Sequence, residues 1–257
     1  MKIEVLGKEA FFSLAYQESH RFLEMIDASK VFVVKNLYNA EDTLGLREQA
    51  FKEGLLTEPS WHPCFDGVPD YHRLHDNYPG AYVRAKYHAY YHHGFHEKNN
   101  KLFDSFKEIF DLMSFFAGFE KNKFLKNIPS QGQIARVNIH HYPKGGGYQA
   151  EHIDPVSKFA LFQTLVAAST KGLDYKEGGL YLRESKDSEP FFLDSFTEVG
   201  DAMVFSPGVA HGVDCIDPSD NYNWRTNSGR WIIMPVIINS DYPHENNIKP
   251  KEVGRSI

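Results

Sequence analysis

Three side chains in the second half of the sequence are of the types that hold a redox-active iron. His152 and Asp154 flank Ile153, and a second histidine, His211, follows in the segment Asp201–Val213. Two imidazoles and one carboxylate cap one face of an octahedral Fe(II) and leave the opposite positions open for a co-substrate and O2. In an extended strand alternate side chains share a face, so the spacing predicts that His152 and Asp154 point the same way while Ile153 points the other way. Ser206, Pro207 and Gly208 predict a strand break, followed by a short extended piece that carries His211. Arg230 opens an apolar run of strand length, Arg230–Ile238,. Its guanidinium keeps its charge and grips carboxylates at two points, which suits a carboxylate co-substrate beside the iron. Arg225 competes for that role, but it sits in the polar loop Asn221–Asn227, whereas Arg230 begins a strand.

The same residues fall within an ordered series of motifs. Tyr142, the glycines Gly145, Gly146 and Gly147, and Tyr148 precede the pair His152 and Asp154; Glu177–Leu182 carries a Gly-Gly-Leu; Gly200 and Asp201 precede an apolar strand; His211 and then Gly229 with Arg230 close the series. Over about residues 131–239 the chain thereby resembles the Fe(II)/2-oxoglutarate-dependent dioxygenases, with a prolyl-hydroxylase-type arrangement of motifs. The gap from His211 to Arg230 is longer than that family commonly shows. The resemblance implies an α+β fold with a mainly β core, a double-stranded β-helix (jelly-roll, cupin-like) with helical N-terminal decoration. It implies Fe(II) held by His152, Asp154 and His211, 2-oxoglutarate with its far carboxylate on Arg230 and a hydrogen bond from Tyr142, and O2 as oxidant. Succinate and CO2 would be released. Halogenating members of the family have a small residue where this chain has Asp154, so the carboxylate implies hydroxylation, or a related oxidation such as desaturation.

A second, looser similarity is to stand-alone enzymes that act on free amino acids. Arg73, within Asp70–His75, could hold a substrate carboxylate, and Trp224 and Asn227 in the aromatic, polar loop 221–227 could complete a small pocket. The expected substrate is therefore a small molecule, a free amino acid or related metabolite. The alternatives are a peptidyl prolyl or other protein side-chain hydroxylase and, from a different class, a non-catalytic cupin-like metal sensor.

These side chains need a scaffold, and the chain predicts one domain over 1–257. Residues 1–130 read as helical support with a substrate-covering segment, and 131–240 as the β core. Lys30–Leu37 predicts an early strand, and Asn39 followed by Glu41 and Asp42 predicts a capped helix to about Lys52, ending at Gly54. The apolar residues Leu102, Phe103, Phe106, Ile109, Phe110, Met113 and Phe116 line one face of a helix over 100–119, which is expected to pack outside the barrel. The histidine- and tyrosine-rich stretch 61–91 has no clear period and reads as a loop over the substrate. Strands are expected at Gln133–His141, Phe159–Ala168, Gly179–Glu184, Ala202–Phe205 and Trp231–Asn239. Of the 13 histidines, His88, His92, His93 and His96 cluster in sequence, but no cysteine or clear acidic partner completes a second metal site.

A hydrophobic fraction of 42% suffices for a sizeable core, and a net charge of −6 without a basic run argues against a nucleic-acid partner,. The N-terminal stretch lacks the apolar core of a signal peptide and no run is long enough to span a membrane, so a cytoplasmic protein is expected. Cys64 and Cys215 alone make no disulfide framework,. The oligomeric state is not predicted.

Overall fold

The structure, a computed structural model, describes residues 1–27 and 30–243. Along the chain run β1 (Lys2–Gly7), α1 (Lys8–Gln17), α2 (Ser19–Asp27), β2 (Lys30–Lys35), α3 (Ala40–Leu56), β3 (Tyr71–Asp76), β4 (Ala85–His93), α4 (Asn100–Ser105) and α5 (Lys107–Phe116). The second half follows as β5 (Gln133–Pro143), β6 (Gly147–His152), β7 (Gln163–Ala167), β8 (Gly179–Arg183), β9 (Phe191–Phe192), β10 (Ala202–Phe205), β11 (Ala210–Ile216) and β12 (Gly229–Asn239). The strands join one curled sheet in the order β1-β2-β10-β7-β12-β5-β4-β6-β11-β8-β9, with β3 added on β4. This is the mainly β double-stranded β-helix core, with the helices supplied almost wholly by the first half.

Strand alternation separates two cores. β5 and β12 pair antiparallel without a break from Gln133↔Asn239 to Pro143↔Gly229. Successive residues of such strands face opposite sides. Ala135, Val137 and Ile139 of β5 and Trp231, Ile233 and Ile237 of β12 therefore join Phe103, Phe106, Ile109 and Phe110 of the helical layer on the outer side. Tyr142, Ile232, Tyr87, Ala89, Tyr91, Leu165, Met203 and Phe205 form a second cluster on the inner side. Each fully buried side chain of this size contributes roughly 1.5–3 kcal/mol, so the apolar layers, rather than the polar residues between them, hold the barrel closed.

The capped helix is present as α3: Asn39 Oδ1 accepts a hydrogen bond from Asp42 N at 3.1 Å,. It packs on the outer side, where Arg47 lies 5.6 Å from the Trp231 ring centroid. The apolar stripe of 100–119 also packs there, but as two helices rather than one, because Phe106 leaves helical geometry (φ −102°, ψ 8°).

Two expectations are corrected. Residues 61–91 are not a loop throughout: they contain β3 and most of β4, and eight of the nine residues of β4 are buried. A strand covered on both sides shows no polar alternation, and a run rich in Tyr and His lacks the Val and Ile that mark such strands. β1 was not expected; it adds parallel to β2 at the edge of the sheet. Among the described residues, no helix is long and apolar enough to cross a membrane, and both cysteines are free thiols.

Candidate metal centre and co-substrate site

β6 and β11 are antiparallel neighbours with His152 directly opposite His211, so residues far apart in sequence meet with ring centroids 4.2 Å apart. Asp154 does not share the strand with His152, as the alternation predicted. β6 ends at His152 and Asp154 lies beyond it, anchored by its N–H donating to Pro207 O at 3.0 Å. That bond ties the acid to the turn before β11. It brings Asp154 Oδ1 within 3.7 Å of His152 Nε2 and Oδ2 within 3.4 Å of His211 Nε2. Ligating atoms of all three residues lie within 4.8 Å of one another.

The backbone decides which nitrogen each ring offers. His152 Nδ1 lies 2.9 Å from Ala150 O and His211 Nδ1 lies 2.8 Å from Val209 O. A carbonyl only accepts, so both Nδ1 atoms carry the hydrogen and both Nε2 lone pairs point at the shared space. Fixing the tautomer and ring orientation through the distal nitrogen is how metal-binding histidines are commonly prepared. Burial, then the neighbouring His211, lowers the His152 pKa to about 4, which keeps that ring neutral and able to ligate. Burial works against charge on Asp154, yet its carboxyl stays below the usual range beside His211 and His152.

Arg230 is buried on the inner side beside Tyr142, its Cζ 5.6 Å from the Tyr142 ring centroid. Its Nε donates to Asp194 Oδ2 at 2.7 Å and its Nη2 to Asp194 Oδ1 at 3.0 Å. Asp194 also accepts from Tyr175 Oη at 2.6 Å and Leu180 N at 2.8 Å. Gly179 makes this approach possible: its φ is +116°, and a Cβ there would collide with Asp194 Oδ2,. One edge of the guanidinium, Nε with Nη2, is thus occupied, so the two-point grip expected for the co-substrate goes to Asp194 and Nη1 remains for a ligand. Tyr142 Oη donates to Gln149 Oε1 at 2.8 Å, and Gln149 Nε2 lies 3.4 Å from His152 Nε2, so a polar chain links the arginine end to the histidines.

The other sequence candidates fall in two places. Arg73 faces the inner side, on the same row as Ala89 and His140. Trp224, Asn227 and Arg225 do not join the site. Trp224 packs edge-on against His88, 5.0 Å away, on the outer side of β4, and Arg225 borders a cavity of about 210 Å³ there with Phe51, His72 and Tyr90. Asn227 uses its carbonyl to accept from Trp231 Nε1 at 2.9 Å and Arg47 Nη2 at 3.0 Å. A loop that follows β11 crosses to the outer side before β12 begins, which the sequence pattern does not reveal. Asp194, Tyr175 and Gln149 went unnoticed in the sequence; the Gly178-Gly179 pair was the one available sign that something must approach the backbone closely.

The histidine cluster does acquire an acidic partner, Asp70, whose carboxylate and the His93 and His96 rings lie within ligating distance of one another. Asp70 is already saturated, however. It accepts from His93 N at 2.8 Å, Asn99 Nδ2 at 2.9 Å and Lys98 Nζ at 2.8 Å. His96 Nε2 also lies 2.9 Å from Val68 O, so the cluster ties the segment before β3 to the end of β4 through hydrogen bonds.

No known family profile matches the sequence, and no curated protein matches it. Solved structures do match in fold, at low sequence identity. A full-length Neurospora crassa protein, crystallised with alpha-KG and 5-formyluracil, superimposes with a TM-score of 0.54 at 14% identity, over 98% of this chain and 89% of that one. A putative oxygenase from Shewanella oneidensis gives 0.52 at 13% identity, over 92% and 90%. JOX2, in complex with 2OG, Fe and JA, gives 0.50 at 14% identity, over 97% and 80%.

Proposed function

We propose that this chain is an Fe(II)- and 2-oxoglutarate-dependent oxygenase that hydroxylates a small molecule, a free amino acid or related metabolite. The observation that carries the reading is the convergence of His152 Nε2, His211 Nε2 and the Asp154 carboxylate, with both Nδ1 atoms committed to carbonyls. Two nitrogens and one carboxylate are the donor set of non-haem ferrous sites. The residues present therefore fit the metal. Bound by them, Fe(II) supplies the activation of O2, one oxygen atom passing to the substrate and the other to 2-oxoglutarate as it becomes succinate and CO2.

The protein's part is binding, orientation and exclusion of water. Arg230, its Nε and Nη2 fixed by Asp194, presents Nη1 to the distal carboxylate of the co-substrate. Tyr142 and Gln149 lie between that point and His152 and orient what is held there. Tyr87, Tyr91 and Met234 supply apolar wall on the same side. Two of the fold neighbours carry a small molecule together with the co-substrate, which supports a small substrate here. The free thiols Cys64 and Cys215 fit a reducing, cytoplasmic compartment,.

The test is succinate release from 2-oxoglutarate by the purified protein, with and without Fe(II), screened over free amino acids and over short peptides containing the same residues. Iron-dependent release stimulated by a free amino acid, with an oxygen atom gained by that compound, is the expected result. Absence of iron-dependent release under every condition would leave the metal-sensor alternative. Stimulation by peptides alone would overturn the small-molecule assignment.

A further inference from the structure

The curled sheet ends in a strand with one free edge. β1 pairs with β2 on one side, from Lys2↔Lys30 to Gly7↔Lys35, and with no described strand on the other. Four of its six residues, Lys2, Glu4, Val5 and Gly7, are exposed, Val5 to 58%. Such an edge presents unpaired N–H and C=O groups that a further strand can join. Lysines, prolines or bulges commonly blunt edges against this. Here the order Lys2, Ile3, Glu4 sets opposite charges two positions apart instead.

Alternation fixes the side on which each charge stands. Leu6 packs with Phe32 and Val34 in the outer cluster, and Ile3 with Val31 in the inner one. Lys2 and Glu4 therefore lie on the outer side with Leu6, while Val5 shares the inner side with Ile3. The parallel register sets Lys2 beside Lys30 on that outer side, two like charges with no ion pair to a described residue. Glu4 has no ion pair to a described residue either. It acts on the Arg21 guanidinium, but Arg21 already donates to Glu18 at 2.7 Å. The edge thus holds a pair of unanswered cations and an unanswered carboxylate on one side, with an exposed valine on the other.

We infer that β1 is a self-association edge: two copies of this chain pair antiparallel through β1 about a twofold axis at Ile3, and the sheet continues from one copy into the other. In a twofold pair of identical strands, residues whose amides face outward meet one another only when the axis passes through a residue position. An axis at Ile3 sets Lys2 of each copy against Glu4 of the other, twice over, and Val5 against Met1. An axis at Glu4 would set the two carboxylates against each other. An axis at Val5 would set Glu4 against Leu6 and leave Lys2 without a counterpart. Opposite charges across a strand pair stabilise it and like charges destabilise it, so charge selects the Ile3 register. That register also brings a carboxylate to the neighbouring Lys2 and Lys30. Pairing of so short a strand buries less than the roughly 1,200 Å² of a standard interface, so the dimer is expected to be weak, dissociating in the micromolar range or above.

The test is sedimentation velocity of the full chain without an N-terminal tag, from roughly 1 to roughly 500 μM, for the parent, Lys2→Glu, Glu4→Lys and the double exchange. The parent is expected to dimerise as its concentration rises. Each single exchange sets like charges against each other at both contacts and should weaken the dimer about tenfold or more, whereas the double exchange restores both pairs and should recover the parental affinity. Lys2→Glu also removes the repulsion between Lys2 and Lys30, so its monomer should melt no lower than the parent. Circular dichroism checks that each variant is folded. Amide hydrogen exchange of β1 should slow as the dimer forms. A parent that stays monomeric throughout would overturn the proposal and show an edge that its charges protect. A dimer that neither single exchange weakens, a double exchange that fails to recover it, or β1 amides that exchange equally fast in monomer and dimer would overturn it as well. Should one single exchange not fold, the other decides together with the double exchange. No turnover or metal binding is read, so the outcome is independent of the oxygenase reading.

Discussion

Arg230 and Asp194 form a buried two-point ion pair, Nε to Oδ2 at 2.7 Å and Nη2 to Oδ1 at 3.0 Å, in which each oxygen meets its own nitrogen. Attraction from Arg230, with hydrogen bonds from Arg230, Tyr175 and Leu180, outweighs the burial that opposes charge on Asp194 and holds its carboxyl below the usual range. Breaking such a pair from one side leaves a bare buried charge, at a cost of about 3–5 kcal/mol, whereas removing both charges costs far less. Asp194→Leu and Arg230→Met should each lower the unfolding free energy by about that amount, and the double variant should lose clearly less than the two combined. Chemical denaturation of the four proteins checks this; simple additivity would mean the pair contributes nothing as a pair.

The same pair sharpens a functional expectation. Arg230→Lys keeps a positive charge but cannot both make the two-point pair with Asp194 and present a further nitrogen, so 2-oxoglutarate affinity should fall by on the order of tenfold or more,. Arg225→Ala, on the outer side of the sheet, should leave it within about twofold, as surface substitutions remote from a site usually do. Titration of 2-oxoglutarate into the Mn(II)-loaded proteins compares them. A reversed order would show that the co-substrate lies on the loop side.

How much of this was legible in the sequence depends on how local the signal was. His152, Asp154 and His211 were readable because their types are uncommon in combination and their motifs occur in order. The face-sharing argument for Asp154 was wrong in detail, since a hydrogen bond to Pro207 O, not strand alternation, places it. β5 and β12 were readable from apolar runs, but β4 was not. It is buried on both sides and built from Tyr and His, so neither period nor composition marks it. Asp194 was invisible for another reason: its partner Arg230 lies 36 residues away and only folding joins them. The loop 221–227 carries residues fit for a polar pocket, yet whether it lines the inner or outer side depends on where the chain crosses the sheet.

Metal binding should depend on all three ligands and not on the fold. His152→Ala or His211→Ala removes one of three anchors, and Fe(II)-dependent succinate release should be abolished, with metal affinity reduced by at least about tenfold. Asp154→Gly should likewise lose most activity. The carboxylate is the only anionic donor of the three, so its product in concentrated chloride should be scarce in any form. The unmodified protein should give an oxygenated or desaturated product even there. Circular dichroism should remain that of the parent, because Tyr142, Leu182, Phe205 and the rest of the inner apolar cluster do not need the metal. Mass spectrometry reading a chlorinated main product from the parent would sink the hydroxylase assignment while sparing the metal centre.

Acid should weaken the metal-free fold well above the pH at which its carboxylates titrate. Burial, then the neighbouring His72, lowers the His88 pKa to about 3, and burial, then Arg73, lowers that of His75 to about 4. His140 and His141 are also lowered well below the ordinary value, again chiefly by burial. Each is neutral in the folded protein, whereas in the unfolded chain it takes up a proton near the ordinary value of 6.5. The unfolded state therefore binds more protons below that pH, and stability present above it is lost as the pH falls toward 4. Each such histidine costs about 1.4 kcal/mol per pH unit in that window. Asp70 and Asp194 act lower: their carboxyls sit below the ordinary value of 3.8, so the stability they contribute persists above it and disappears only beneath it. The melting temperature of the metal-free protein should thus fall steeply between pH 6.5 and about 4. His88→Phe, which replaces one buried imidazole by an apolar ring, should flatten the slope. A melting temperature constant across that window would mean that these histidines are charged or exposed in the fold, contrary to the packing that sets His88 against His141 on the outer side and His75 and His140 against Tyr87 on the inner side.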